Sequence, residues 1–130
     1  KYNPNIVTGL NRMAEIIRDD NDFLEELAAE SAQRCLLESE SALPTGSAAL
    51  SIPQLLREPV ALRRRVLRRI LGKLSGDLRQ FSYDHIDRLL ELAVNPVGGR
   101  RVYLPGNLQG RREYNRLIIE TRMVRRKKER

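Results

Sequence analysis

The sequence offers one cysteine and one histidine, Cys35 and His85, as the pair that could serve in nucleophilic catalysis. Cys35 lies on the apolar face of a predicted helix, and burial among apolar side chains raises the pKa of a thiol and makes it unreactive. His85 falls in the first turn of another predicted helix, and no third residue is marked out to orient it as a base. We therefore predict structural roles for both residues and assign no catalytic residue.

Sites for phosphate or metal are also poorly supported. Two glycine-containing segments, Gly98-Gly99 and Ser75-Gly76-Asp77, each follow a predicted helix, whereas a P-loop or a dinucleotide fingerprint leads from a strand into a helix. Ordinary turns explain both segments. The carboxylates of Asp19, Asp20 and Asp22 form no calcium-loop motif, and one cysteine with one histidine provides too few ligands for a zinc site. We predict neither a metal nor a cofactor for this chain.

A stronger signal comes from arginines that are spaced four residues apart on one predicted helix. Arg64 and Arg68 form one pair, and Arg65 and Arg69 form the other, so each pair lies on one helix face about one turn apart. Guanidinium groups at this spacing can reach neighbouring phosphates and bind them through paired hydrogen bonds. The pattern predicts contact with a nucleic-acid backbone. The alternative is that these arginines are only solvated.

A second basic region follows, in which arginines are interleaved with tyrosines in a predicted sheet. Basic groups beside aromatic rings suit contact with the RNA backbone and stacking on its bases. The alternative is that Tyr103 and Tyr114 are core residues. From the two regions together we predict nine RNA-binding residues: Arg64, Arg65, Arg68, Arg69, Arg100, Arg101, Arg111, Arg112 and Tyr114.

The net charge of the chain is +7, and it is unevenly distributed. Residues 1–46 hold four basic and nine acidic side chains, a net charge of −5, which leaves +12 for residues 47–130. A segment with such a charge attracts polyanions and accelerates encounter with them. Solubility alone is the competing explanation, but the grouping of the arginines favours a nucleic-acid partner.

Hydrophobic periodicity predicts the elements that must position these arginines. Residues 4–38 are predicted to form one long helix, or two in line, with Asn3 as the N-cap and Pro4 in the first turn. Its apolar stripe consists of Ile6, Leu10, Met13, Ala14, Ile17, Leu24, Ala28, Ala32 and Cys35. The acidic side chains lie off that stripe, so we expect this helix to face away from RNA, with a kink or a polar contact at Asn21.

Two further helices are predicted at 59–74, which carries the arginine pairs, and at 83–93, which Ser82 caps. Arg63 projects toward the apolar face of the first, so we expect its stem to be packed and its guanidinium to reach solvent. Strands are predicted at 101–104 and 117–119, and the segment 49–52 is a third candidate.

These elements predict an α+β fold that is mostly α, a helical domain with a long N-terminal helix and a small antiparallel sheet of two or three strands. We divide the chain into a long acidic helix and loop at residues 1–46, a basic helical domain with the sheet at 47–121, and a basic tail or linker at 122–130. The sequence does not begin with methionine, so we expect part of a longer chain. A single cysteine and the lack of a long apolar run favour the cytoplasm and no membrane segment.

Several of these stretches, in this order, resemble the region that follows the catalytic domain in bacterial tRNA(Ile)-lysidine synthetases. They are Tyr2-Asn3-Pro4-Asn5-Ile6 with Leu10, Arg12 and Ala14, then 59–69, then His85-Ile86 with Leu89-Leu90, and finally Leu104-Pro105-Gly106 with Arg111-Arg112-Glu113-Tyr114 and Leu117. The resemblance covers most of the chain. It implies the tRNA-binding domain of an ATP-dependent ligase, which adenylates the wobble cytidine of an isoleucine tRNA and then joins lysine to it.

The resemblance also implies which parts of the enzyme this chain does not contain. The family's ATP loop, Ser-Gly-Gly-x-Asp-Ser, does not occur in this sequence, so ATP is expected only in the parent enzyme. The expected partners are tRNA and the enzyme's own N-terminal catalytic domain, with a homodimer as a further option. A second hypothesis is an interaction module that docks on the catalytic domain or dimerises, without RNA affinity of its own. A third, a self-contained enzyme, lacks a nucleophile, base or metal set.

Overall fold

The computed structural model describes residues 3–37, 46–95 and 100–122. Its elements are α1 Pro4–Cys35, β1 Ala48–Ser51, α2 Ile52–Arg57, α3 Val60–Ser75, a 3₁₀ turn at Leu78–Gln80, α4 Tyr83–Val94, β2 Arg101–Leu104, β3 Leu108–Glu113 and β4 Arg116–Thr121. The predicted α+β fold, mostly α with a long N-terminal helix and a small antiparallel sheet, is confirmed. No helix within the described ranges is long and apolar enough to cross a bilayer.

Helix α1 is continuous and begins at the predicted cap. The side-chain oxygen of Asn3 accepts a hydrogen bond of 2.9 Å from the amide of Asn5, which satisfies one of the free donors at the helix start. The helix ends at Cys35, three residues before the predicted end at 38. The polar contact expected at Asn21 is present, since Arg65 donates a hydrogen bond of 3.0 Å to its side-chain oxygen.

The apolar stripe of α1 is buried only toward its C-terminal end. Ala32 and Cys35 belong to the core, whereas the side chains nearer the N-terminus are exposed, with Leu10 at 62% and Ile17 at 61%. A helix of 32 residues is about 48 Å long, while its neighbour α3, with 16 residues, is about 24 Å long. The prediction of a buried stripe is therefore correct for the part of α1 that α3 can reach and wrong for the first half.

A buried carboxylate fixes α1 against the junction of α2 and α3. Glu58 accepts hydrogen bonds of 3.0 Å from Arg34 and 3.0 Å from Gln54. These bonds, chiefly the one from Arg34, lower the pKa of Glu58 to about 2. Beside it, the guanidinium of Arg63 donates to the backbone oxygens of Leu56 at 2.7 Å and Glu58 at 2.8 Å. Arg63 thus caps the end of α2 through two of its donors, while the residue as a whole is only partly buried.

Helices α3 and α4 have well-defined ends. At the end of α3, Gly76 adopts a φ of 82°, and its amide bonds to the backbone oxygen of Gly72. This left-handed conformation favours glycine, which has no Cβ to clash. At the start of α4, Ser82 Oγ accepts a bond from the His85 amide, while His85 Nδ1 accepts one of 2.9 Å from the Ser82 amide. The predicted structural role of His85 is confirmed.

The sheet has four antiparallel strands in the order β1-β4-β3-β2, one more than the upper limit predicted. Pairing places Val102 opposite Gly110 and Gly110 opposite Ile119, so these residues share the face that packs on the helices. Leu89 of α4 sits directly over Gly110, where a Cβ atom would lie only 2.4 Å from Leu89 Cδ2. The absence of a side chain at Gly110 therefore lets α4 lie close against the sheet.

One hydrophobic core joins all of these elements. Ala32 and Cys35 of α1 pack in the same cluster as Val66 and Leu67 of α3 and as the inner face of the sheet. Burial raises the pKa of the Cys35 thiol to about 11, which agrees with the predicted unreactive role.

The division of the chain at residues 46 and 121 stays a prediction. Residues 123–130 of the basic tail lie outside the described residues.

Candidate nucleic-acid interface

Two of the four predicted arginines on α3 are held by a carboxylate of α1. Arg65 lies 2.6 Å from Glu25, and Arg69 lies 3.6 Å from the other oxygen of the same carboxylate. One acidic side chain thus bridges two arginines that are one helical turn apart. Part of the positive charge that α3 could offer to phosphates is already neutralised within the molecule.

The other two α3 arginines, Arg64 and Arg68, line a cavity of about 280 Å³ beside the start of α4. The Arg64 guanidinium lies 5.1 Å from the centre of the Tyr83 ring and 3.9 Å from Asp87, which is too far for a hydrogen bond. Arg68 is exposed and makes no ion pair with a carboxylate in the described part of the chain. Arg68 is therefore the α3 arginine with the greatest freedom to bind an external anion.

The sheet arginines Arg111 and Arg112 point to opposite faces and are both engaged. Arg111 lies on the outer face, 2.8 Å from Glu120 and 3.6 Å from Glu113. Burial of Glu120 opposes its ionisation, but hydrogen bonds from Arg111 and Gln109 dominate and leave the pKa of Glu120 below its usual range. These carboxylates compete with any phosphate for the Arg111 guanidinium.

Arg112 points to the inner face and closes the C-terminus of α4. Its guanidinium donates to the backbone oxygens of Ala93 at 2.7 Å, Tyr114 at 2.9 Å and Leu92 at 3.5 Å. The last carbonyls of a helix have no partner within the helix and carry a partial negative charge, so a cation there is stabilising. In this geometry Arg112 links α4 to the β3–β4 turn.

The remaining predicted residues, Arg100, Arg101 and Tyr114, are exposed. Within residues 3–37, 46–95 and 100–122, neither Arg100 nor Arg101 forms an ion pair. Tyr114 is 91% exposed, which excludes the core role weighed for it, and its backbone φ is 56°. Tyr114 is the first residue of the two-residue turn that joins β3 to β4, and such hairpin turns require a positive φ at that position.

The structure brings four of the nine predicted residues into two clusters, one beside each half of α4, and leaves five outside both: Arg65, Arg69, Arg111, Arg112 and Tyr114. Arg64 and Arg68 lie beside its N-terminal half, next to Tyr83. Arg100 and Arg101 lie beside its C-terminal half, next to Arg88. Arg88 was not among the predicted residues. It lies four residues after Asp84, a spacing typical of a surface ion pair, and it pairs with Asp84 at 3.1 Å. In the described ranges, no three potential metal-binding side chains come together.

Comparison with known proteins shows that the part of the chain containing both clusters matches one protein family. Residues 50–118 match the family described as the TilS substrate-binding domain. The tRNA(Ile)-lysidine synthase of Geobacter sulfurreducens is 36% identical over 126 residues, which cover 95% of this chain and 26% of that protein. The synthase of Caldanaerobacter subterraneus is 26% identical over 123 residues, which cover 94% of this chain. The synthase of Solibacter usitatus is 32% identical over 126 residues, which cover 92% of this chain.

The chain spans about a quarter of the length of these curated relatives: 26% of the Geobacter and Solibacter proteins and 25% of the Caldanaerobacter protein. The family match includes α3, α4 and most of the sheet, and therefore contains every residue predicted to bind RNA. This chain belongs to the family of TilS substrate-binding domains.

Proposed function

We propose that this chain binds tRNA on behalf of a ligase that attaches lysine to the wobble cytidine of an isoleucine tRNA. The observation that carries the proposal is the position of Arg68, Arg100 and Arg101, which are exposed and form no ion pair with a carboxylate among the described residues. All three lie inside the region that matches the substrate-binding family. Their guanidinium groups are available to phosphate oxygens without first breaking an internal ion pair.

In this proposal the chain positions tRNA and the chemistry occurs elsewhere in the parent enzyme. Phosphate contacts fix the orientation of an RNA without reading its sequence, so the isolated chain discriminates weakly between tRNAs. ATP and lysine bind to a catalytic domain that is the natural partner of this one. The proposed location is the cytoplasm, where an unpaired cysteine such as Cys35 stays reduced.

Binding of the purified chain to bulk tRNA tests the proposal. Fluorescence anisotropy is measured between ~50 and ~200 mM salt, a range over which several phosphate contacts change affinity strongly. We expect micromolar binding at the lower salt and a log–log slope of roughly −2 to −3, one contact for each free arginine. Absence of binding at the lowest salt would contradict the proposal for this chain.

A second candidate function is supported by the exposed apolar stripe of α1. Ile6, Leu10, Met13 and Ile17 present a continuous apolar face that no described residue covers. Apolar patches of this kind mark surfaces that pack on another protein. The proposed occupant is the catalytic domain, because this chain spans only about a quarter of its relatives' length, 26% for the Geobacter protein.

Light scattering on this chain separates the possible occupants. Docking on the catalytic domain predicts two results. The isolated chain should be a monomer with or without Leu10→Glu and Ile17→Glu, and the same changes in the full-length enzyme should abolish its tRNA-modifying activity. A dimer that the two changes dissociate would assign the face to a second copy instead.

A further inference from the structure

The cavity of about 280 Å³ beside Arg64 and Arg68 lies between α3 and the start of α4. Its volume is close to the lower limit for small-ligand sites, ~300 Å³. The segment that joins the two helices is held in place, because the Phe81 amide donates a hydrogen bond of 3.1 Å to the Leu78 oxygen. The Phe81 ring also packs edge-on against His85, with 6.3 Å between the ring centres. A ligand can therefore enter this cavity without first ordering a loop.

The lining of the cavity combines an apolar floor with a cationic rim. Ile86 is buried in the core, and Phe81 is partly buried against the same core. Arg64 and Arg68 lie one helical turn apart on the α3 side. Tyr83 lies on the α4 side and is 62% exposed. Such a lining suits a ligand with one flat apolar part and one anionic part.

The guanidinium of Arg64 is poorly satisfied by the protein's own acceptors. Its Nε is buried without a hydrogen-bond partner among the described residues, and Asp87 at 3.9 Å is too far away to accept a hydrogen bond. A buried donor without a partner is unfavourable, so Nε loses no hydrogen bond when the guanidinium turns toward an anion in the cavity. Together with the exposed Arg68, Arg64 can hold one phosphate group.

Tyr83 supplies an aromatic ring that is already restrained. It is the first residue of α4, which Ser82 caps, so its backbone is fixed by the helix. The Arg64 guanidinium lies 5.1 Å from the ring centre, within the range of a cation–π contact. A restrained and largely exposed tyrosine can stack on a nucleobase with little loss of conformational freedom.

We propose that this cavity binds one unpaired nucleotide of RNA. Its phosphate is held by Arg64 and Arg68, and its base stacks on Tyr83 beside the apolar floor. Bases inside a duplex are stacked and paired, so only loops and ends can present a base in this way. The inference rests on the proposed tRNA-binding function and adds to it a preference for a single-stranded part of the RNA.

Stacking is tested with two RNA probes, a mixed-sequence single-stranded hexanucleotide and a 12-base-pair duplex, whose binding is measured by anisotropy at one salt concentration. We expect Tyr83→Ala to weaken binding of the single strand roughly tenfold and binding of the duplex less than twofold, because only the single strand loses a stacked base. Tyr83→Phe retains the ring and is expected to bind as the wild type does. Tyr103→Ala is the matched control, since Tyr103 is also exposed and lies 5.3 Å from an arginine, Arg122, but does not line this cavity.

The arginines are tested with the same probes. The double change Arg64→Gln and Arg68→Gln is expected to weaken the single strand roughly tenfold and to lower its salt slope by about 1.4, or ~0.7 for each lost contact. Arg12→Gln, at an exposed position on the first half of α1, is the control for a lost positive charge and is expected to leave single-strand binding nearly unchanged.

A carboxylate beside the cavity provides a test in the opposite direction. Asp84 is paired with Arg88 at 3.1 Å, whereas Asp87 approaches Arg64 and competes with a bound phosphate. We expect Asp87→Asn to tighten single-strand binding roughly two- to threefold, because it removes this competitor. Asp20→Asn, the same change at an exposed position of α1, is the control. An equal gain for both variants would overturn the assignment of the phosphate to Arg64.

A photocrosslink gives a measurement that does not depend on how a variant folds. A hexanucleotide with 5-iodouridine is irradiated with the wild-type chain, and mass spectrometry is expected to find the modified residue at Tyr83. Equal weakening of both probes by Tyr83→Ala, or crosslinks only at residues outside the cavity, would overturn the inference and leave the proposed function intact. Absence of binding to tRNA and to both probes would overturn the proposed function itself.

Discussion

Two regions of the molecule carry exposed or partly exposed arginines, helix α3 and the segment 100–101 at the start of β2. Each arginine has the same formal charge, but the two regions differ in how many carboxylates surround these side chains. On α3, Glu25 holds Arg65 and Arg69, and Asp87 approaches Arg64. Beside β2, Arg100 and Arg101 form no ion pair within the described ranges, although the charge of Arg101 also favours the ionised form of Glu120. The difference shows that the number of arginines in a segment does not measure the charge that is available to a ligand.

The same contrast separates stabilising arginines from binding arginines. An arginine whose donors are satisfied internally contributes to the fold, and removing it leaves a buried acceptor or charge unpaired. An exposed arginine without a partner contributes little to stability, since most surface substitutions change the free energy of unfolding by less than ~0.5 kcal/mol. The two classes therefore predict opposite results for stability and for RNA affinity.

The largest effect on stability is expected for Arg112→Met. This change removes the donors to Ala93, Leu92 and Tyr114, and hydrogen bonds that involve a charged group contribute about 1.5–3 kcal/mol. We expect urea denaturation to show a loss of about 2–3 kcal/mol. The matched change Arg100→Met should cost less than ~0.5 kcal/mol. Equal losses for the two variants would contradict the division into stabilising and binding arginines.

The next largest expected effect is a pH-dependent loss of stability when the carboxylate of Glu58 is removed. The pKa of Glu58 is about 2 in the folded protein against an ordinary value of 4.5, so the unfolded state takes up the proton first as the pH falls. Its stabilising contribution is complete above about pH 5 and is lost as the pH falls toward 2.

Glu58→Gln is therefore expected to reduce the free energy of unfolding by about 2 kcal/mol at pH 7. The difference between wild type and variant should be smaller at pH 3, as measured by urea denaturation at both pH values. Glu26→Gln, at an exposed position of α1, is the control. A difference that does not depend on pH would show that the ionised carboxylate is not the source of the stabilisation.

A smaller effect should distinguish two arginines within α3. We expect Arg68→Gln to weaken tRNA binding several-fold and to reduce the salt slope by about 1, as loss of one phosphate contact predicts. Arg65→Gln should change the slope less, because Glu25 already holds Arg65 at 2.6 Å. Anisotropy titrations at several salt concentrations measure both. If the two changes had equal effects, the ion pair would not limit the availability of Arg65.

The smallest expected effect is a gain in affinity from Glu25→Gln. This change releases Arg65 and Arg69 from their shared carboxylate, so we expect tRNA to bind roughly twofold more tightly. The cost in stability should stay below about 1 kcal/mol, since the pair is partly exposed. Glu15→Gln, on the exposed half of α1, removes the same charge without releasing an arginine. An equal gain for both variants would indicate a general charge effect.

Local sequence signals predicted most of the secondary structure. Asn3 and Ser82 were identified as caps, and α1, α3 and α4 were placed to within a few residues, because caps and helical periodicity depend on neighbours along the chain. Strand β1 was only a candidate, and its pairing of Ala48 with Ile119 joins distant parts of the sequence. Such pairing depends on how the helices place the strands, and no local pattern specifies it.

The sequence by itself determined the helices, the basic character of the second part and the resemblance to the family, since all three depend on residue type and order. Only the tertiary structure decided which arginines remain available. Glu25 and Arg65 are 40 residues apart in sequence and 2.6 Å apart in space. It also decided that half of the α1 stripe is exposed, because α3 is half as long as α1. Ion pairing and burial depend on distances between elements, which only the packed fold defines.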